Sequence, residues 1–69
     1  MKYMTLPDQL KPGDKIQCTA PAYTGNEILE VFKVDGDRIY LMRGNGVAVH
    51  GEFFLHTLKA YDYQLIIPK

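Results

Sequence analysis

Reversals built on glycine and proline recur roughly every ten residues along this chain, and that spacing decides most of what it can fold into. Lys11-Pro12-Gly13-Asp14, Asp35-Gly36-Asp37 and Gly44-Asn45-Gly46 bracket runs that suit short strands better than helices. Proline sets φ at the second position of a turn and glycine accepts positive φ at the third, so Pro12-Gly13 reads as a type II turn. After it, Lys15–Ala20 alternates with Ile16, Cys18 and Ala20 on one face, the pattern of a half-buried strand that Pro21 ends. Residues 21–27 read as an irregular surface loop carrying Tyr23.

The clearest hairpin runs from Ile28 to Val34, through Asp35-Gly36-Asp37, and back along Arg38–Met42. A two-residue Asp35–Gly36 loop would oppose Lys33 to Arg38 and Glu30 to Leu41. A four-residue loop from Asp35 to Arg38 opposes Glu30 to Arg43, Phe32 to Leu41 and Val34 to Ile39. The second is preferred, because like charges directly across a sheet cost about what a good pair contributes. For the next reversal, a three-residue Gly44–Gly46 loop with Gly46 left-handed sets Leu41 opposite Val49 and Tyr40 opposite His50, keeping the apolar face whole. Residues 53–61 fit two patterns: Phe54, Leu58 and Tyr61 share a helical face, while Phe53, Leu55 and Thr57 share a strand face. The β-rich surroundings favour a strand bending into a short helical turn. Tyr63–Ile67 closes the chain as a last strand. The expectation is therefore an all-β fold, a five- or six-stranded antiparallel barrel, with residues 1–69 forming one domain.

Lys11-Pro12-Gly13-Asp14-Lys15-Ile16, the loop ending in Gly25, the strand from Ile28, and Val34-Asp35-Gly36-Asp37-Arg38-Ile39 resemble a small barrel of the Src-homology-three type. The likeness covers about residues 11 to 50. More weakly they resemble the KOW version of that barrel, which opens on a Gly-Asp start as Gly13–Asp14 does. The chain lacks that family's tightly spaced glycines and basic loop. Small neutral barrels of this kind also look like accessory proteins of phages and bacterial mobile elements. Such folds host many functions, so the resemblance implies architecture and not activity.

Composition narrows the function classes. Eight Lys+Arg balance eight Asp+Glu, which argues against binding driven by bulk charge. No serine is present, so no Ser-His-Asp arrangement exists. Cys18 is the single cysteine and has no partner for an internal disulfide; a small unstapled domain is expected in the cytoplasm. No apolar run approaches bilayer length, and Met1–Asp8 has none of signal-peptide length, so no membrane partner is expected.

Candidate chemistry is sparse. His50 and His56, with Glu52, Asp62 and Cys18, match no established metal-ligand spacing, and no metal or other cofactor is expected. Cys18 shares the phase of Ile16 and Ala20, which makes it a core thiol and not a nucleophile. Asp35 and Asp37 flank a turn glycine as solvated turn formers. Gly44-Asn45-Gly46 lacks the lysine and helix of a phosphate loop. An enzyme is not expected.

Two binding readings remain. In the preferred register Leu29, Val31, Tyr40 and Met42 occupy the face opposite the core set, which would make that face apolar as well. They form the expected contact patch for a protein partner or for self-association as a homodimer, with Tyr23 as a second candidate. The alternative is a nucleic-acid-binding face in which Lys33, Arg38 and Arg43 meet phosphates and Tyr40 stacks a base.

Overall fold

A computed structural model describes residues 2–20 and 27–67. Strands β1 (Lys2–Thr5), β2 (Lys15–Cys18), β3 (Leu29–Asp35), β4 (Arg38–Arg43), β5 (Phe53–Phe54) and β6 (Tyr63–Ile67) form one antiparallel sheet, with a short helix α1 (Leu55–Ala60) between the last two. The spatial order is β1-β6-β2-β3-β4-β5. The all-β class and a helical turn within 53–61 are as expected. Closure into a barrel is not: β1 and β5 stand at opposite edges of the sheet, unpaired with each other. Tyr23 and residues 21–26 of its loop lie outside the described residues.

The reversals fold as their residues dictate. Gly13 has φ +99, and Asp14 N–H donates to Lys11 C=O at 3.1 Å, closing the Pro12-Gly13 turn. The Asp14 carboxylate in turn accepts from Lys11 N–H at 2.8 Å. In the β3–β4 hairpin Asp35 pairs with Arg38, leaving Gly36 and Asp37 as a two-residue loop. Positive φ falls on Gly36 alone, at +65, the place glycine takes in a type II′ turn. Around Gly46 (φ +87), Met42 bridges Ala48 and Val49 N–H donates to Leu41 C=O at 2.9 Å, the register expected from the three-residue loop.

Pairing is not continuous beyond that bridge. Two residues are looped out around Gly51, whose φ of +127 excludes most side chains, before Phe53 and Phe54 pair with Ile39 and Arg38. Helix α1 then starts against the hairpin, with Leu55 N–H donating to Asp37 C=O at 3.1 Å. The helix inserts Leu58, 2% exposed, into the core. It ends at Ala60, and Asp62, two residues on, has a φ of 63, the left-handed conformation aspartate tolerates just past a helix end. Asp62 C=O accepts both the backbone N–H and the hydroxyl of Thr19 at 2.9 Å, tying this turn to the end of β2.

The decisive departure from the expected pairing lies inside β3. From the turn, Asp35, Val34 and Lys33 oppose Arg38, Ile39 and Tyr40. Beyond Phe32 the register slips by one, so that Val31, Glu30 and Leu29 oppose Leu41, Met42 and Arg43. Phe32 is the extra residue of a β-bulge. The slip resolves a conflict in the sequence, because Leu29 and Val31 alternate out of phase with Val34 and a regular strand cannot bury all three. The bulge turns all three toward one core with Leu6, Leu10, Ile16, Ile39, Leu41 and Leu58, and leaves Phe32 42% exposed.

Candidate functional site

The face of β3–β4 turned away from this core is where the expected site residues sort themselves. Leu29 and Val31 are not on it: they are 8% and 0% exposed and belong to the core. Their place in the expected contact patch rested on an unbulged strand, and the slip at Phe32 reverses it. Tyr40 and Met42 do lie on the outer face, half-buried, alternating with buried Ile39 and Leu41. Phe32, expected inside opposite Leu41, joins them: its ring centroid stands 6.1 Å from that of Tyr40 at an interplanar angle of 59°. That tilted arrangement is one aromatic pairs favour.

Two cations complete the cluster. Lys33 Nζ lies 5.2 Å from the Tyr40 ring centroid and the Arg38 guanidinium carbon 5.3 Å from it, both within cation–π range. Three of the four residues of the nucleic-acid reading are thus together. The fourth, Arg43, is at the far end of β4 and engages Glu27 at 2.8 Å, where Glu30 was the expected partner. Arg38 also reaches Glu52 at 3.1 Å, across the β4–β5 edge. Both arginines are therefore matched by carboxylates. The result is an aromatic centre beside Lys33 and two carboxylate-paired arginines.

The remaining candidates sit apart. His50 is exposed beyond the Ala48 bridge, and His56 is exposed on α1, stacked on Phe54 at 5.9 Å. Among the described residues no three of His, Cys, Asp and Glu converge as a metal site would need. Cys18 is 7% exposed and its thiol donates to Tyr61 C=O at 3.2 Å, placing it in the interior as its phase implied. It borders a cleft of about 500 Å³ whose walls include Phe53, Leu58, Tyr61 and Tyr63. No helix among the described residues is long and apolar enough to cross a membrane.

The sequence reading missed two features. Phe32 gives the outer face its most exposed ring, and the signal for it was the Leu29-x-Val31-x-x-Val34 spacing, one residue too long for strict alternation. Strand β1 carries no such signal, because all four of its residues are exposed. No protein-family model, curated protein or solved structure matches this chain.

Proposed function

We propose that this chain is a non-catalytic protein-interaction module, a small accessory or regulatory protein of the cytoplasm. It docks a protein partner on the outer face of β3–β4, with Phe32, Tyr40 and Met42 as apolar anchors and Arg38 at their edge. The observation that carries this reading is the Phe32–Tyr40 pair, held on a solvent-facing sheet surface by a bulge. Aromatic residues, Met and Arg are the types enriched in interface cores. Pairing of both arginines, Arg38 and Arg43, with carboxylates supports a protein partner over a polyanion. The likeness of residues 11–50 to a Src-homology-three barrel belongs to the same proposal for its turn and hairpin pattern alone, since the sheet is not closed. The test compares immobilised wild-type protein with a Phe32→Ala/Tyr40→Ala variant in parallel captures from the source cell. A partner held by the wild type and released by the variant supports the assignment; one retained equally by both refutes it.

One observation favours a second reading: Lys33 and Arg38 both lie over the Tyr40 ring, which gathers cations and an aromatic side chain as single-strand-binding surfaces do. Gel retardation of oligothymidine at low salt, lost on Tyr40→Ala, decides between the two, because electrostatic binding is strongest there.

A further inference from the structure

The two edges of the sheet are unequal. The β5 edge is two residues long and runs directly into α1, so it offers almost no backbone for pairing. Among the described residues the β1 edge is bare: Lys2–Thr5 pairs with β6 on one side only, and all four residues are exposed. Tyr3 and Met4, 43% and 42% exposed, project to opposite faces of this edge. Met4 lies opposite Leu65 on the core side, and Tyr3 lies opposite Ile66 on the other, its hydroxyl donating to Gln17 Oε1.

From this edge we infer that β1 pairs antiparallel with β1 of a second copy, extending the sheet through a two-fold axis at Met4. A two-fold needs only one self-complementary strand, and an antiparallel pair keeps each face of the sheet continuous. The register follows from the single charge on the strand. Centred on Tyr3, the pairing brings the backbones of the two Lys2 residues to about 8 Å, comparable with the screening length at physiological salt. Centred on Met4, it separates them by about 14 Å, beyond that length. The Met4 register also sets Tyr3 against Thr5 of the second copy on one face, an aromatic–β-branched pair, and Met4 against its own copy on the other. Both exposed apolar side chains are covered at once. A four-residue strand pair buries far less than the roughly 1,200 Å² of a standard interface, so association is weak, with Kd about 10⁻⁴–10⁻³ M. This surface is separate from the β3–β4 face, and the dimer stands or falls independently of the docking proposal.

Sedimentation equilibrium between about 20 μM and about 1 mM tests the inference, since the expected Kd falls near the top of that window. The wild type is expected to rise from the 7.9 kDa monomer toward twice that mass. Met4→Lys and Met4→Glu each place like charges across the axis, and both are expected to stay monomeric at the highest concentration with an unchanged far-ultraviolet spectrum. Mixed in equal amounts they place opposite charges there, and association is expected to return. A wild type monomeric throughout, a folded Met4→Lys variant that still dimerises, or charge variants that separate without recombining would each overturn the Met4-centred pairing.

Discussion

Exchanging the fates of two adjacent residues is the sharpest consequence of the bulge, and truncating each to alanine exposes it. Val31 is 0% exposed within the core, so Val31→Ala removes fully buried carbon. At about 0.8 kcal/mol per buried methylene plus a term for the cavity left behind, the loss is about 2–3 kcal/mol. Phe32 is 42% exposed and its identified ring contact is with Tyr40, so Phe32→Ala forfeits about 1 kcal/mol. A chain of 69 residues has a total stability of roughly 3–10 kcal/mol, which makes the first change severe and the second mild. An unbulged strand reverses the order: Phe32→Ala would then cost about 3–5 kcal/mol and Val31→Ala almost nothing. Urea unfolding read by far-ultraviolet circular dichroism reports both variants, with an unchanged m-value certifying that the midpoints reflect native-state stability. If Phe32→Ala proves the more damaging of the two, the bulged register is refuted.

Other expectations rest on separate contacts. Leu58 is the one side chain of α1 that is fully buried, so Leu58→Ala should lower stability by about 2–4 kcal/mol in the same urea assay. Arg38→Ala breaks the pair with Glu52 and removes a cation from the Tyr40 ring, but side chains 39% and 64% exposed are well screened; the stability change should stay at about 1 kcal/mol or below, and its ion-pair part should shrink further in high salt. Gly51→Ala forces a side chain into φ +127 with the Phe53 ring 3.5 Å from the new methyl, and thermal melting should show a destabilisation of about 1–3 kcal/mol. Cys18, 7% exposed, should react with a thiol reagent orders of magnitude more slowly in buffer than in urea; rapid labelling of the folded protein would contradict its interior placement.

Much of the fold was legible because its signals are local. Pro12-Gly13, Gly36 and Gly46 mark reversals that only a residue tolerant of their backbone angles can make, and each reversal forms where its glycine stands. The register beside Gly36, with Val34 opposite Ile39, and the register beyond Gly46 both follow from keeping apolar residues on one face. The helix at 55–60 was visible as an unresolved competition between two periods, and the chain uses both in succession: two strand residues, then a turn and a half of helix. What escaped has a physical reason in each case. A bulge needs no special residue, so Phe32 gives no local sign of it, and the evidence is the spacing of Leu29, Val31 and Val34 taken together. Strand β1 forms because β6 offers it an edge, a long-range cause that its own four exposed residues do not announce. Whether a sheet closes depends on how its two edges meet, and turn chemistry does not encode that. The contact patch inherited the first of these errors, which moved Leu29 and Val31 to the wrong side, while Tyr40 and Met42, on the unbulged β4, stayed where alternation puts them.

The sorting of β3 between core and surface underlies the proposed docking face, and nuclear Overhauser contacts across the β3–β4 ladder measure it directly. Backbone proton contacts joining Val31 to Leu41 and Lys33 to Tyr40, with Phe32 opposite neither, are the expected result. Contacts joining Phe32 to Leu41 and Glu30 to Arg43 would show a regular strand, return Phe32 to the core, and remove the aromatic pair from the surface.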